Sequence, residues 1–548
     1  MGLTDRVVDV TQGSLPLALL QLAWPSVLQA ILSNLYTVAD FFFVGHLPDK
    51  AAAAAGTEGI AASIGLSICL YGFHNIVASG CTAYSAQFKG ANDKTSLASC
   101  FKAGFWACIA LSSLVALLGG TFIQQIAQIP HSTPVVTANI EKFLGILILT
   151  SPAFGLLLLI DGFYKSNGNT LVPLCLEISS LIVNLALNYL FVFHLGWGIS
   201  GSASASALSR LLPALVGLLF ITNGHLNGIQ VSLFSLSSRE EASQLATRAM
   251  AMCRLGTWQS MSDWLYGFVF TILIRLSGAL GPAEQAGLGA GMRGLEWLSF
   301  CVSEGFLVAS LTAVGNLIGA NLQRRASIAA LMSAFMSSAC GCLTGLPFIF
   351  FSERISRLLS DDADIIKYCA IYIRAQGAVA FGVGFEMAAY GSFIGAGKAR
   401  EVFLTNGSMN LCRIPVAVYC IFGRSGFWLG LLWALGFSST TDLPSTVGSF
   451  DSICWVIAGT AVLKAMLFFC WLSLRFCRGT YFCDSSLVVV EAGKGTNPVA
   501  EQPEAGAGET YIELSQVSSH GFKQGDGGEE GRELGYKFDD DDDGEEGF

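Results

Sequence analysis

Charge is scarce in this chain: 13% of its 548 residues are Asp, Glu, Lys or Arg, and 53% are hydrophobic. Soluble globular domains carry about 25% charged residues, so a water-facing surface of ordinary make-up is excluded. No GxxxxGK[ST], HExxH or GxSxG context is present, which argues against nucleotide hydrolysis, zinc-peptidase and serine-hydrolase chemistry. The 16 cysteines stand singly, without CxxC pairs or metal-ligand spacing. They read as small hydrophobes, and no enzyme activity, metal or cofactor is expected.

Long apolar runs take the place of these features. Runs of about 20 residues, the length that crosses a bilayer, are centred near residues 30, 68, 110, 150, 182, 210, 267, 300, 338, 382, 411 and 464. They are too long for barrel strands, so twelve transmembrane helices are predicted in an all-α integral membrane protein. From Gly479 onward there are 17 acids and 4 bases, a net charge of −13, so the preceding residues carry −10 + 13 = +3. The Gly-rich tail, with its run Asp539 to Asp543, is expected to be solvated and disordered. Thirteen Lys and Arg fall in loops on the side of the N-terminus and six on the other, so both termini are expected to be cytoplasmic, at the plasma membrane or an organellar membrane. No cleavable leader is read at the start, and Arg6 stands where an N-myristoylation signal needs Ser or Thr. Cys477 and Cys483, just past the last run, are candidates for palmitoylation.

An internal repeat organises the chain. "KGANDKTSLAS" at 89–99 aligns with "IGANLQRRASIAA" at 318–330, "FYKSNGNT" at 163–170 with "SFIGAGKA" at 392–399, and Gly201 with Gly430. One offset serves all three: 319 − 90, 397 − 168 and 430 − 201 each give 229. Six helices per repeat, an even number, make the two halves parallel, related by an axis along the membrane normal and facing one another across a central cleft. The predicted organisation is a short N-terminus (1–14), an N-lobe with helices 1–6 (15–236), a cytoplasmic linker (237–248), a C-lobe with helices 7–12 (249–476) and the tail (477–548). An outer-loop insertion at 434–452 has no counterpart in the first half.

Several stretches then carry a resemblance. "LAWPSVLQAILSNLYTVADFFFVGHL", "AYSAQFKGANDK", "SNGNT", "VNLALNYLFVFHLGWGISGSA", "AVGNLIGANLQRRA" and "NLCRIPVAVY" are similar, in order and spacing, to the multidrug and toxic compound extrusion (MATE) family. The similarity runs from about Leu15 to Leu474. It implies a secondary active exporter of organic, often cationic, compounds that exchanges them for protons or sodium ions. The implied partners are a small organic substrate and the lipid bilayer, without nucleic acid, for a chain acting as a monomer. A flippase for lipid-linked or polyisoprenoid carriers is the alternative in the same superfamily, and a channel or receptor the alternative outside it.

Asp40, in "LYTVADFFFVGHL", is the first candidate site residue. An ionised carboxylate at membrane depth costs several kcal/mol unless it is paired, wet or protonated, so its presence points to an interior cation site. Pro25, fifteen residues earlier and on the same helix face, provides a place to bend; the resemblance implies an Asp at this point, whose protonation in some relatives is linked to such bending. Asn184 and Asn188, four apart on one face, either ligate an ion together with Asp40 or hold helices together by hydrogen bonds. Asp161 either takes part or simply meets Lys165 one turn on, and Glu177 lies deeper. Asp263, Glu296, Glu304 and Glu386 are the second-half candidates. Pairing with Arg293 would make Glu296 structural, and pairing with Arg413 would do the same for Glu386. His74 reads as a satisfied core residue.

Overall fold

The computed structural model describes residues 6–129, 133–224, 229–235, 238–292, 296–358, 362–436 and 445–477. The acidic tail, Cys483 and the centre of the 434–452 insertion therefore lie outside the described residues, as does the side chain of Cys477. Helices account for all regular structure among the described residues: α1 (Leu15–Gly45), α2 (Lys50–Gly90), α3 (Lys94–Thr121), α4 (Ile123–Gln128), α5 (Pro134–Leu149), α6 (Ser151–Ser166), α7 (Leu171–Asn188), α8 (Gly198–Thr222), α9 (Arg239–Gly278), α10 (Pro282–Ala290), α11 (Glu296–Gly319), α12 (Gln323–Phe350), α13 (Ser352–Ser356), α14 (Ala363–Gly395), α15 (Ala399–Ala434) and α16 (Phe450–Cys477). Ten are long and apolar enough to cross a membrane, and the pair α5 and α6, bent by 55°, makes an eleventh span if counted as one.

Each predicted run falls on a helix of this set except the one near 150, which is broken at Thr150 between α5 and α6. The run near 267 lies on α9, which is too polar for a hydropathy criterion because Gln259, Ser260, Ser262 and Asp263 interrupt its middle. Capping fixes the starts of several helices: Asp49 accepts from Ala51 N, Asp93 from Ser96 N and Asp362 from Asp364 N, each at 2.9 Å. Burial of Ala, Ser and Gly lets α11, α12 and α14 pack closely, as helices do where lipid supplies no hydrophobic drive.

One boundary differs from the sequence-based expectation. Residues 239–248 are not a linker but the first turns of the 40-residue α9. Ser238 caps that helix, its hydroxyl accepting from Glu241 N at 3.1 Å, a Ser-x-x-Glu start. The charges there are used in packing against α3: Lys102 Nζ lies 2.8 Å from Glu241 Oε1, and Arg248 donates to the Ser96 carbonyl at 3.3 Å. The connection between α8 and α9 is thus 223–238, earlier in the chain than expected.

The 229-residue offset reappears in backbone geometry. Asn92 and Asn321 are the two non-glycine residues with positive φ among those described (56° and 60°), and Gly168 and Gly397 share φ of 82° and 76°. All four close a helix in the same way. Asp93 N reaches Phe88 O (3.1 Å) as Leu322 N reaches Leu317 O (2.8 Å), and Asn169 N reaches Tyr164 O (3.1 Å) as Lys398 N reaches Phe393 O (2.8 Å).

The halves meet reciprocally at these turns. A Cβ placed on Gly90 would sit 1.9 Å from the Asn316 carbonyl oxygen, and one on Gly319 would sit 1.9 Å from the Gln87 carbonyl oxygen. Gln87 Nε2 donates to Gly395 O at 2.9 Å; Asn316, turned so that its amide nitrogen faces carbonyls, donates to Ser166 O at 3.2 Å. The N-terminal segment crosses the same end, with Val8 N donating to Gly168 O (3.0 Å) and Arg325 donating to Val10 O (3.1 Å) and Gly13 O (2.7 Å). Replacing Gly90 with Ala puts a methyl where a backbone carbonyl now lies, so it should cost about 1–3 kcal/mol and lower the thermal midpoint of the purified protein. An unchanged midpoint would show that α2 and α11 do not touch there.

Candidate functional site

Asp40 lies near the end of α1, where α7 and α8 cross it, and is buried. Ser202 Oγ donates to Oδ1 at 2.7 Å, Ser206 Oγ reaches both carboxylate oxygens at 3.1 and 3.0 Å, and Asn188 Nδ2 lies 3.4 Å from Oδ1. Asn188 Nδ2 also donates to Asn184 Oδ1 (3.1 Å), and Asn184 Nδ2 to Ser206 Oγ (3.1 Å), which closes a ring of amides and hydroxyls. Asp40 thus meets Asn188 directly and Asn184 through Asn188 and Ser206, by amide N–H groups. A π-helical turn, Tyr189–His194, begins directly after Asn188 and re-aims the chain at this point.

The donors in this ring are neutral. Among the described residues no ammonium or guanidinium stands within ion-pair distance of Asp40. Arg210 contributes its field from one side while stacking on Tyr36 and Phe154, 5.1 and 5.0 Å from the ring centres. Asn188 Oδ1 is buried and accepts no hydrogen bond. A buried carboxylate and an orphaned carbonyl oxygen in one ring form an acceptor-rich pocket that a proton or a small hard cation would complete.

The other acids are compensated differently. Asp161 accepts from Lys165 Nζ and Gln29 Nε2, each at 2.7 Å. Asp263 accepts from Asn75 Nδ2 on α2 at 3.0 Å, a bond that crosses between the halves. Tyr71 stands in the electrostatic field of Asp161 from the first half and of Asp263 and Glu304 from the second. Glu177 is set among Asp161, Lys165 and Arg210. Glu296 accepts from Tyr372 OH at 2.7 Å, which in turn receives Gln376 Nε2 at 3.0 Å; Arg293 lies outside the described residues. Pro25 is buried within α1, which continues through it. His74 Nδ1 meets Leu70 O at 2.7 Å, while its Nε2 has no partner.

The expected pairing of Arg413 with Glu386 is not formed. Arg413 donates to Thr460 Oγ1 at 2.7 Å and to Ile457 O at 3.5 Å on α16. Glu386 instead accepts from Lys464 Nζ at 2.6 Å. Lys464 belongs to α16, one turn beyond Thr460, and the long aliphatic stem of a lysine can lie along apolar neighbours to reach the carboxylate. The sequence reading missed Lys464, Ser202, Ser206 and Arg210. The serines were visible as "SASASALSR", where residues 202, 206 and 209 share one helix face, and Lys464 as a lone charge in an apolar run.

Residues 25–190 and 260–419 match the MatE family. The chain belongs to that family. It is 23% identical over 448 residues to "Probable multidrug resistance protein NorM" of Thermotoga maritima, covering 78% of this chain and 90% of the relative. Over 435 residues it is 24% identical to human "Multidrug and toxin extrusion protein 1", covering 76% and 71%. A solved MOP superfamily transporter from Pyrococcus furiosus superimposes with a TM-score of 0.73 at 15% identity, covering 86% of this chain and 98% of that one. MatE membership and the apolar helices together make this an integral, multi-pass membrane transporter.

The hydroxyls around Asp40 stabilise its charged form, and a hydrogen bond to a charged group contributes about 1.5–3 kcal/mol. The Ser202→Ala, Ser206→Ala double variant should lose thermal stability at neutral and alkaline pH. The loss should shrink as pH falls and Asp40 is protonated. An equal loss at every pH would mean that the hydroxyls only fill space.

Proposed function

We propose that this MatE transporter exports organic compounds, cations among them, in exchange for protons or sodium ions by alternating access, with Asp40 as the carboxylate through which the ion is coupled. The observation that carries the reading is the neutral ring around Asp40. A carboxylate already matched by a lysine has little need of a mobile cation; one matched only by serine hydroxyls and an amide can take up and release one. The orphaned Asn188 Oδ1 supplies a second oxygen for the same ion.

Coupling follows from competition across the cleft. Asp161, Asp263 and Glu304 all act on Tyr71, and among the described residues only Asp161 of the three has an ion-pair partner, Lys165, so the net field there is negative and favours an organic cation over an anion. Ion binding at Asp40 removes a charge from the N-lobe and so changes the balance between states that hold substrate well and states that hold it poorly. By linkage, substrate binding then weakens ion binding by the same factor. The contacts at Gly90, Gly319, Gln87 and Asn316 close one end of the molecule, as an outward-open state requires if that end is cytoplasmic. The printed names of the NorM and human relatives, multidrug resistance and toxin extrusion, agree with export as the direction.

The test is counter-transport in proteoliposomes loaded with a fluorescent organic cation, with a proton or a sodium gradient imposed. One gradient should drive efflux, and Asp40→Asn, checked for folding, should reduce gradient-driven flux at least tenfold. Efflux that neither gradient accelerates, or that Asp40→Asn leaves at the wild-type rate, would overturn the reading.

A further inference from the structure

Asp40 and Glu386, one buried acid from each half, are compensated differently. In the N-lobe Asp40 is held by neutral groups. In the C-lobe Glu386 on α14 meets Lys464 on α16 at 2.6 Å, with side chains 2% and 5% exposed. We propose that Lys464 is a resident counter-cation that fills the position beside Glu386 where a mobile ion would bind, so that Glu386 is withdrawn from ion exchange. This rests on the reading of Asp40 given above.

Chemistry and geometry both carry the assignment. An ammonium at hydrogen-bond distance does for a buried carboxylate what a bound sodium ion or proton would do, and removing it would leave an uncompensated charge. Being covalently attached, it competes at an effective concentration that a diffusing ion does not match. The charged neighbours are balanced as well. Arg413 from α15 and Glu296 from α11 flank the pair, giving two acids and two bases in all, a net charge of 2 − 2 = 0. Tyr390 on α14 itself and Tyr266 from α9 also face it, and Asp263 from α9 faces Tyr390. Arg413 is engaged with Thr460 and Ile457, so it does not take the place of Lys464. A further cation arriving beside Glu386 would find that carboxylate already matched by Lys464; Asp263, held by the neutral Asn75 amide, is not part of the pair.

The experiment is infrared difference spectroscopy of the full-length protein in lipid, following the carboxyl C=O stretch over the pH range in which the protein stays folded. In the wild type, Glu386→Gln should remove no pH-dependent carboxyl band, whereas Asp40→Asn should remove one. Lys464→Met should gain a band that disappears again in Lys464→Met, Glu386→Gln. If Lys464→Met does not fold, the comparison of wild type with Glu386→Gln decides. Repeating the comparison with sodium added at fixed pH covers the second coupling ion. Loss of a band on Glu386→Gln alone, or no gain on Lys464→Met, would overturn the proposal. Loss of the Asp40 band with the Glu386 results as expected supports both readings. Failure of Asp40→Asn to change the spectrum sinks the Asp40 reading and leaves the assignment of Lys464 standing.

Discussion

A carboxylate removed from water must be compensated, and the way each buried acid meets that requirement shapes this molecule. Asp40 satisfies it with Ser202, Ser206 and Asn188, which obliges α1, α7 and α8 to meet at one point. Asp161 satisfies it with Lys165 one turn along its own helix, and Glu386 with Lys464 from a neighbouring one. Lysine partners hold their acids in a fixed state; hydroxyls and amides leave theirs free to change it. The same physical demand thus yields two ion pairs, at Asp161 and Glu386, and acids held by neutral donors, Asp40 among them.

Duplication shapes the contact between the halves. The turns at Asn92 and Asn321, and at Gly168 and Gly397, repeat with similar positive φ, and the contacts between halves repeat with them: Gln87 to Gly395 against Asn316 to Ser166. Glycines at 90 and 319 let backbone approach backbone where any side chain would hold the halves apart. A contact built from two copies of one motif can be made and broken as a unit, which suits a gate between two rigid bundles.

Much of this was legible in the sequence because it depends on local pattern. Apolar run length gave the helices, and a constant offset of 229 gave the repeat, whose turns then proved alike in conformation. The shared face of Asn184 and Asn188 followed from their spacing, while the resemblance, not the spacing, set Asp40 beside them. Three things were not legible. The stretch 239–248 reads as a charged linker, because only the packed structure shows Lys102 waiting for Glu241; the Ser238 cap was the signal that could have corrected it. The partner of Glu386 depends on which residue of α16 faces α14, a long-range relation that spacing along one helix cannot supply, and so Arg413 took the place of Lys464. Ser202 and Ser206 were passed over because small hydroxyls in a Gly- and Ala-rich helix look like packing residues until a carboxylate is set against them.

The most direct measurement is ion release on substrate binding. Purified protein in weakly buffered detergent solution is mixed with an organic cation, and protons or sodium ions released per protein are counted. If Asp40 is the exchange site, the wild type releases ions, and folded Asp40→Asn, though it still binds the cation, releases none. Equal release from both proteins would place the coupling ion elsewhere and contradict the account of α1.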